Sequence, residues 1–249
     1  MLISHSRRFI YLKTVKTAGT SVEAYFEKHC LPPDQQEFKH LRESYEGPAG
    51  VVGFRGPVPK GRRWFNHMDA ASIREKIPAA QWNDYFKFCV IRDPFDKLVS
   101  GFHMFDAKLR SKPWSERLRT CWRRFRGIGS PIERAVGSTP VERFRSWIKL
   151  GGMIDDRAIY TLEGEYCPNY FIRFEQLTDG LREVCHRLGI EFNAGQLPQL
   201  KSGVRKGDIS LADYYDDECV AAVERVYSRE LKDFGYHDPR LTRTSTPAH

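Results

Sequence analysis

Residues 8–26 read RFIYLKTVKTAGTSVEAYF, and this stretch decides the fold. Arg8–Leu12 is a short apolar run of strand type. It breaks at Lys13–Gly19, and helical spacing resumes through Val22, Tyr25 and Phe26. Thr20-Ser21-Val22-Glu23 has the form of a capping box, which predicts a helix start at about Thr20. Strand, loop and helix in that order make a phosphate-binding α/β unit. The first turn of such a helix has N–H groups without an intrahelical acceptor and carries the positive end of the helix dipole. Lys16-Thr17-Ala18-Gly19-Thr20-Ser21 fills the junction. Lys16 brings a point charge, Ala18 and Gly19 leave room for a phosphate against the backbone, and Thr20 and Ser21 add hydroxyls. The segment is not the GxxxxGK[ST] nucleotide loop, because its lysine precedes the glycine. An ordinary capped helix with a surface lysine accounts for the same residues.

A second unit of this kind follows. Phe86–Ile91 (FKFCVI) is nearly continuous in apolar residues, as a central parallel strand is. Arg92 stands at its carboxyl end, the edge where open α/β sheets bind ligands. Asp93-Pro94 then gives an N-cap followed by proline at the first helical position. Leu98, Phe102, Phe105 and Leu109 continue at helical spacing, and Ser100 lies about two turns in. A guanidinium and a hydroxyl in these places can bracket a second phosphate. A simple ion pair of Arg92 with a carboxylate is the alternative. Two anion sites, each at a strand's carboxyl end, suit a nucleotide with phosphates at both ends of its ribose.

Farther out, 47–61 holds eight Gly or Pro in fifteen residues and reads as a loop or loose hairpin. A helix is expected from about Ala70 to Lys76, a third strand at Tyr170–Phe174, a helix over about 179–188 and a last helix over about 211–234. Strands alternating with helices predict one α/β domain over 1–249, with a central, mainly parallel sheet flanked by helices in a P-loop-like nucleotide-binding arrangement. Within it, 111–168 is expected to be a basic helical insertion and 238–249 a frayed tail.

The chain has 249 residues and is 41% hydrophobic, with 16 Phe, 11 Tyr and 5 Trp, which excludes wholesale disorder. No apolar run has the length of a membrane span, and the first residues lack a signal-peptide pattern. The six cysteines are scattered without metal-ligand spacing, so neither a structural metal nor a disulfide framework is expected. These features together predict a cytoplasmic protein. Net charge is +8, and residues 107–149 alone hold 12 Lys+Arg against three Glu. This segment is either a docking surface for an anion or a solvated helical face.

The paired motifs resemble those of sulfotransferases that use 3′-phosphoadenosine-5′-phosphosulfate (PAPS), in their carbohydrate-type branch. Lys16–Ser21 is similar to the family's 5′-phosphosulfate loop, and Arg92-Asp93-Pro94 with Ser100 to its 3′-phosphate motif. Trp64–Ala70 with Ile73-Arg74, Tyr85–Phe88, Phe171–Leu177, Leu197–Ser202, Tyr214–Asp217 and Phe234–Tyr236 resemble further segments of that branch. The likeness covers about 9–110 and 169–236. Lys97 stands where arginine is usual, and Gln199-Leu200-Lys201 where His-Leu-Asn is common.

The resemblance implies in-line sulfuryl transfer from PAPS to an acceptor hydroxyl, with 3′,5′-bisphosphoadenosine (PAP) leaving and no metal required. It assigns Lys16 to the leaving group, backbone N–H groups of Thr17, Ala18, Gly19, Thr20 and Ser21 to the 5′-phosphate, and Arg92 and Ser100 to the 3′-phosphate. Arg205, in the loop KSGVRKG, is expected to close over the nucleotide or simply to be solvated. His67 is the candidate base, since an imidazole titrates near neutrality; a structural histidine at a helix start is the alternative. Glu23 is a second candidate base or a helix cap. Arg173 is expected inside the fold beside a carboxylate. Arg117, Arg119, Arg123, Arg124 and Arg126 would hold an anionic or polyhydroxylated acceptor such as a glycan, and Trp114 and Trp122 would stack on sugar rings or fill the core. A nucleotide kinase, and a non-catalytic binder of polyanions or nucleic acid through 107–149, are the competing readings. The sequence leaves the acceptor and the oligomeric state open.

Overall fold

The structure, a computed structural model, describes residues 1–56, 61–116, 127–197 and 209–241. The chain divides into two compact units, Met1–Arg92 with Asp155–Ser202, and Asp93–Ile154 with Gly203–His249.

The first unit is built on a six-stranded sheet. Its strands are β1 (Leu2–Ser4), β2 (Phe9–Leu12), β3 (Tyr45–Gly47), β4 (Gly50–Val52), β5 (Phe86–Ile91) and, after the short hairpin of β6 (Thr161–Leu162) and β7 (Glu165–Tyr166), β8 (Tyr170–Arg173). They lie in the order β3-β4-β1-β2-β5-β8. β2, β5 and β8 run parallel, with Leu12 opposite Cys89 and Ile91 opposite Arg173. The other three pairings are antiparallel. The fold is thus α/β as expected, and its sheet is mixed: the parallel half carries the motifs, and the antiparallel half comes from Leu2–Ser4 and the hairpin of β3 and β4, which straddles the start of the Gly/Pro-rich stretch.

Helix α1 (Gly19–Phe26) covers the sheet with Val22, Tyr25 and Phe26. Phe26 meets Phe9 and Phe88 with ring centroids 5.7 and 5.4 Å apart, and Tyr11 stacks on Phe88 at 5.1 Å. Fully burying each such ring contributes about 1.5–3 kcal/mol. The helix Leu177–Arg187 adds Leu181, Val184 and Cys185 to the same core. Helix α2 (Ala70–Lys76) starts at Asp69, whose carboxylate accepts from the Ser72 N–H at 2.7 Å. Helix α3 (Ala79–Asp84) leads into β5. The one charge within β5, Lys87, is buried; its ammonium donates to the Trp82 and Tyr85 carbonyls at the carboxyl end of α3, where a cation is favoured.

The second unit is helical. Helix α4 (Pro94–Arg110) begins as its sequence dictates: the Asp93 carboxylate accepts from the Phe95 N–H and Pro94 takes the first position. Phe95, Leu98, Val99 and Phe102 are buried, and Phe102 meets Phe144 of the helix Pro140–Lys149 edge-on at 5.5 Å. Val220, Val223 and Tyr227 of the helix Asp217–Phe234 are buried as well. That helix begins at Asp217, later than the sequence suggests, because Ala212–Tyr214 forms a separate short 3₁₀ turn. Residues 238–241, expected to fray, are tied down by Arg240, which pairs with Asp217 at 2.6 Å and Asp238 at 2.8 Å. Residues 155–168 belong to the sheet unit, so the stretch 111–168 is shared between the two units.

Candidate functional site

β2, β5 and β8 end on one edge of the parallel half-sheet, and the chain leaves them as the Lys13–Ala18 loop, Arg92 and Phe174. Among the described residues, five non-glycine residues have positive φ, and three of them are Lys16 at 63°, Ala18 at 55° and His67 at 60°. Each such residue costs of order 1 kcal/mol and persists only where its surroundings impose it. A left-handed residue among right-handed or turn neighbours is the backbone pattern of anion-binding nests. Helix α1 starts at Gly19 with Ala18 as N-cap, and no side chain caps it. The Ser21 N–H donates to the Ala18 carbonyl at 2.8 Å, whereas the Gly19 and Thr20 N–H groups lie in the first turn, with no residue four positions back to accept from them within the helix.

Two other elements hold this loop. The Arg92 guanidinium donates to the Lys16 carbonyl at 2.8 Å and lies 4.2 Å from the centre of the Phe174 ring. The two anion motifs read from the sequence therefore touch. Below, the Thr14 hydroxyl bonds the Val90 carbonyl and lies 2.8 Å from the Thr17 hydroxyl. Thr17 is buried with its hydroxyl turned to Thr14, so only its backbone remains for a ligand.

The floor of the loop is a buried ion cluster. Glu23 is fully buried and accepts from Lys13, from Arg55 at 3.0 Å and from the Met1 amine at 2.9 Å. Arg55 also pairs with Glu27 at 3.0 Å, and Arg42 with Glu27 at 3.3 Å. Burial alone would raise the Glu23 pKa; the surrounding cations overcome this and hold it at about 2. Burial is the stronger influence at Glu27, whose pKa is raised. The expected capping box is therefore absent, because these cations draw the Glu23 carboxylate under the loop, where it is neither a cap nor an accessible base. The Lys13 stem lies so close beneath Gly19 that a Cβ there would come within 2.8 Å of Lys13 Cε. Gly19 leaves room below the loop as well as above it.

His67 precedes α2 by three residues and is exposed as a whole, while its Nδ1 is 3.0 Å from the Lys13 carbonyl. A carbonyl only accepts, so Nδ1 carries the hydrogen and Nε2 keeps its lone pair. Desolvation of the ring, aided by the Lys13 charge, lowers its pKa to about 4. A neutral imidazole of fixed tautomer is thereby anchored at the start of the Lys16 loop.

The structure thus brings Lys16, Thr17, Ala18, Gly19, Thr20, Ser21, Arg92 and His67 to one place. Ser100 is half-buried on α4 in the second unit, with Lys97 buried one turn before it. Arg117, Arg119, Arg123, Arg124, Arg126, Trp122 and Arg205 lie outside the described residues. Trp114 is 74% exposed, which removes its core reading. Arg173 is exposed at the carboxyl end of β8, opposite Ile91, and not inside the fold, because strand alternation gives the buried place to Ile172. Lys13, Arg55 and Phe174 were not singled out from sequence. Lys13 reads as a strand end and Arg55 sits in an irregular stretch, and only the ion cluster and the stacked Arg92 reveal their parts.

Among the described residues, no group of three or more His, Cys, Asp or Glu could hold a metal ion, and no helix is long and apolar enough to cross a membrane. No solved structure matches the chain. One curated relative, carbohydrate sulfotransferase 10 of Xenopus laevis, is 23% identical over 264 residues, which span 96% of this chain and 68% of the relative. The model of the sulfotransferase family matches residues 1–237, and the chain belongs to that family.

Proposed function

We propose that the protein moves a sulfuryl group from PAPS to a hydroxyl of a carbohydrate or other polyhydroxylated acceptor, releasing PAP. The observation that carries this reading is the contact of Arg92 with the Lys16 carbonyl, which joins two anion motifs at the carboxyl edge of parallel strands. Left-handed Lys16 and Ala18 and the uncapped start of α1 fit a phosphate at the loop.

When bound, the donor supplies an activated sulfuryl group on a phosphate leaving group. The protein's share is positioning and neutralisation of charge. The Lys16 ammonium faces the charge that grows on the leaving oxygen. Backbone N–H groups from Thr17 to Thr20 hold the 5′-phosphate; the Ser21 N–H is already committed to Ala18. Arg92 holds the 3′-phosphate, and Ser100 and Arg205 are the further residues that the family resemblance assigns to the nucleotide. His67 Nε2 accepts the proton of the attacking hydroxyl, and the Lys13 carbonyl keeps Nδ1 protonated throughout. Nearby negative charge raises a histidine pKa, so the imidazolium formed on attack is stabilised beside an anionic donor. The likeness to a carbohydrate sulfotransferase supports a carbohydrate acceptor, and Arg117, Arg123 and Arg124 are the residues assigned to it. Labelled PAPS with a panel of hydroxylated acceptors tests the reading. Sulfated product should form with at least one of them and be lost in Lys16→Ala; a wild type that transfers to none contradicts it.

The polyanion reading gains no support from the described part of 107–149. Arg110 and Arg143 both pair with Asp106, Lys112 with Glu133, and Lys149 with Asp216 and Glu218.

A further inference from the structure

The motif likeness read from the sequence leaves out residues 111–168, yet one of them reaches the anion loop. The Asp156 carboxylate is 4% exposed and accepts from the Val15 N–H at 2.8 Å, across 141 positions of sequence. Val15 precedes left-handed Lys16, whose carbonyl is the one held by Arg92. The Val15–Lys16 backbone is therefore gripped on both sides, by a carboxylate on the N–H of one residue and a guanidinium on the carbonyl of the next.

The hydrogen bonds around Asp156 tie its carboxylate to the loop. Asp156 is the N-cap residue of the 3₁₀ turn Arg157–Ile159, a place where aspartate ordinarily caps with its side chain, but it makes no side-chain cap bond there. Asp155 does the local work: its carboxylate accepts from the Arg157 N–H at 3.2 Å and from the Arg157 guanidinium at 2.8 Å. Two adjacent aspartates thus divide two tasks. A buried carboxylate close to an anion site would be unfavourable if its only effect were its charge. Its use here is geometric, since a charged acceptor makes a hydrogen bond roughly twice as strong as a neutral one.

The geometry points to Asp156 as a positioning residue for sulfuryl transfer: it holds Lys16 in the left-handed conformation that aims the loop's backbone N–H groups and the lysine charge at the donor. This rests on the proposed PAPS reading. PAP titration and steady-state kinetics test it in four variants. Asp156→Ala should weaken PAP binding by roughly ten- to a hundredfold, the range for loss of one charge-assisted bond, and lower kcat as well. Asp156→Glu keeps the charge but moves the oxygen by one methylene, and should lose PAP affinity in a folded protein. Asp156→Asn keeps a weaker, neutral acceptor and should lose clearly less PAP affinity than Asp156→Ala. Asp155→Ala removes only the local cap and should leave PAP affinity unchanged. A folded Asp156→Ala or Asp156→Glu protein that binds PAP and turns over like wild type overturns the inference. A wild type that ignores PAP removes the donor reading instead. The clamp is then decided by hydrogen exchange at the Val15 amide, which should be slow in wild type and faster in Asp156→Glu; equal rates overturn it.

Discussion

At the scale of the residue, His67 and Glu23 are opposite cases. His67 combines exposure with a fixed Nδ1 hydrogen and a pKa lowered to about 4, so it is a neutral base well below the usual histidine range. The acid limb of kcat/KM for the free enzyme should fall near pH 4 and not near the ordinary 6.5. His67→Ala should retain PAP binding while turnover drops by roughly 10²–10⁴-fold; turnover that survives in that variant removes the base assignment. The same shift affects folding. The unfolded chain takes up the proton first, so this part of the stability is present above about pH 6.5 and fades as pH falls toward 4. Glu23 is a structural acid. Its carboxylate is held at about 2 against an ordinary 4.5, so its contribution is complete above about pH 4.5 and is lost as pH falls toward 2. Glu23→Gln removes the carboxylate that Lys13, Arg55 and the Met1 amine share and leaves Arg55 with Glu27 alone, and denaturant unfolding should show a loss of about 3–5 kcal/mol. Sequence distinguishes these two poorly. Glu23 sits at capping-box spacing in a helix start, and only the three-dimensional convergence of Lys13, Arg55 and the Met1 amine assigns it elsewhere.

At the scale of the element, legibility follows length and periodicity. Phe86–Ile91, Ala70–Lys76 and the Asp93-Pro94 start of α4 appear where the apolar run, the proline stop and the cap place them. Leu2–Ser4 is too short to show any period, and it becomes a strand only because β2 and β4 flank it. Of the antiparallel half of the sheet, the sequence therefore shows only a loose hairpin near the Gly/Pro-rich stretch. Close approaches are likewise written in single glycines whose meaning appears only in space. Gly180 lets the helix Leu177–Arg187 lie against β8, since a Cβ there would come within 2.5 Å of Ile172 Cγ2 and 3.2 Å of Ile172 Cβ. Gly180→Ala should cost about 1–3 kcal/mol by overpacking, read as a lower denaturant midpoint. An unchanged midpoint means that the helix can shift away without loss.

At the scale of the whole molecule, the net charge of +8 is the feature most easily overread. Several described cations of the basic segment are matched by carboxylates from outside it, such as Asp106 and Asp216, so charge counted along the sequence overstates what a partner meets. Binding to unrelated DNA should therefore be weak and fall steeply with salt; tight, salt-resistant DNA binding would reverse that view. The resemblance to the family rests on motif pairs set at two strand ends, which a linear reading can see. Their mutual contact, across 76 positions, the ion cluster below, whose bonds to Glu23 span up to 32, and the Asp156 clamp, across 141, are seen only once the chain is folded. The central claim is that the Lys16 loop and Arg92 grip one doubly phosphorylated adenosine. Calorimetric titration of PAP into wild type, Lys16→Ala and Arg92→Ala tests it most directly. The account predicts saturable one-to-one binding by wild type and clear weakening in Arg92→Ala. Absence of PAP binding by a folded wild type, or equal affinity in all three proteins, would contradict it.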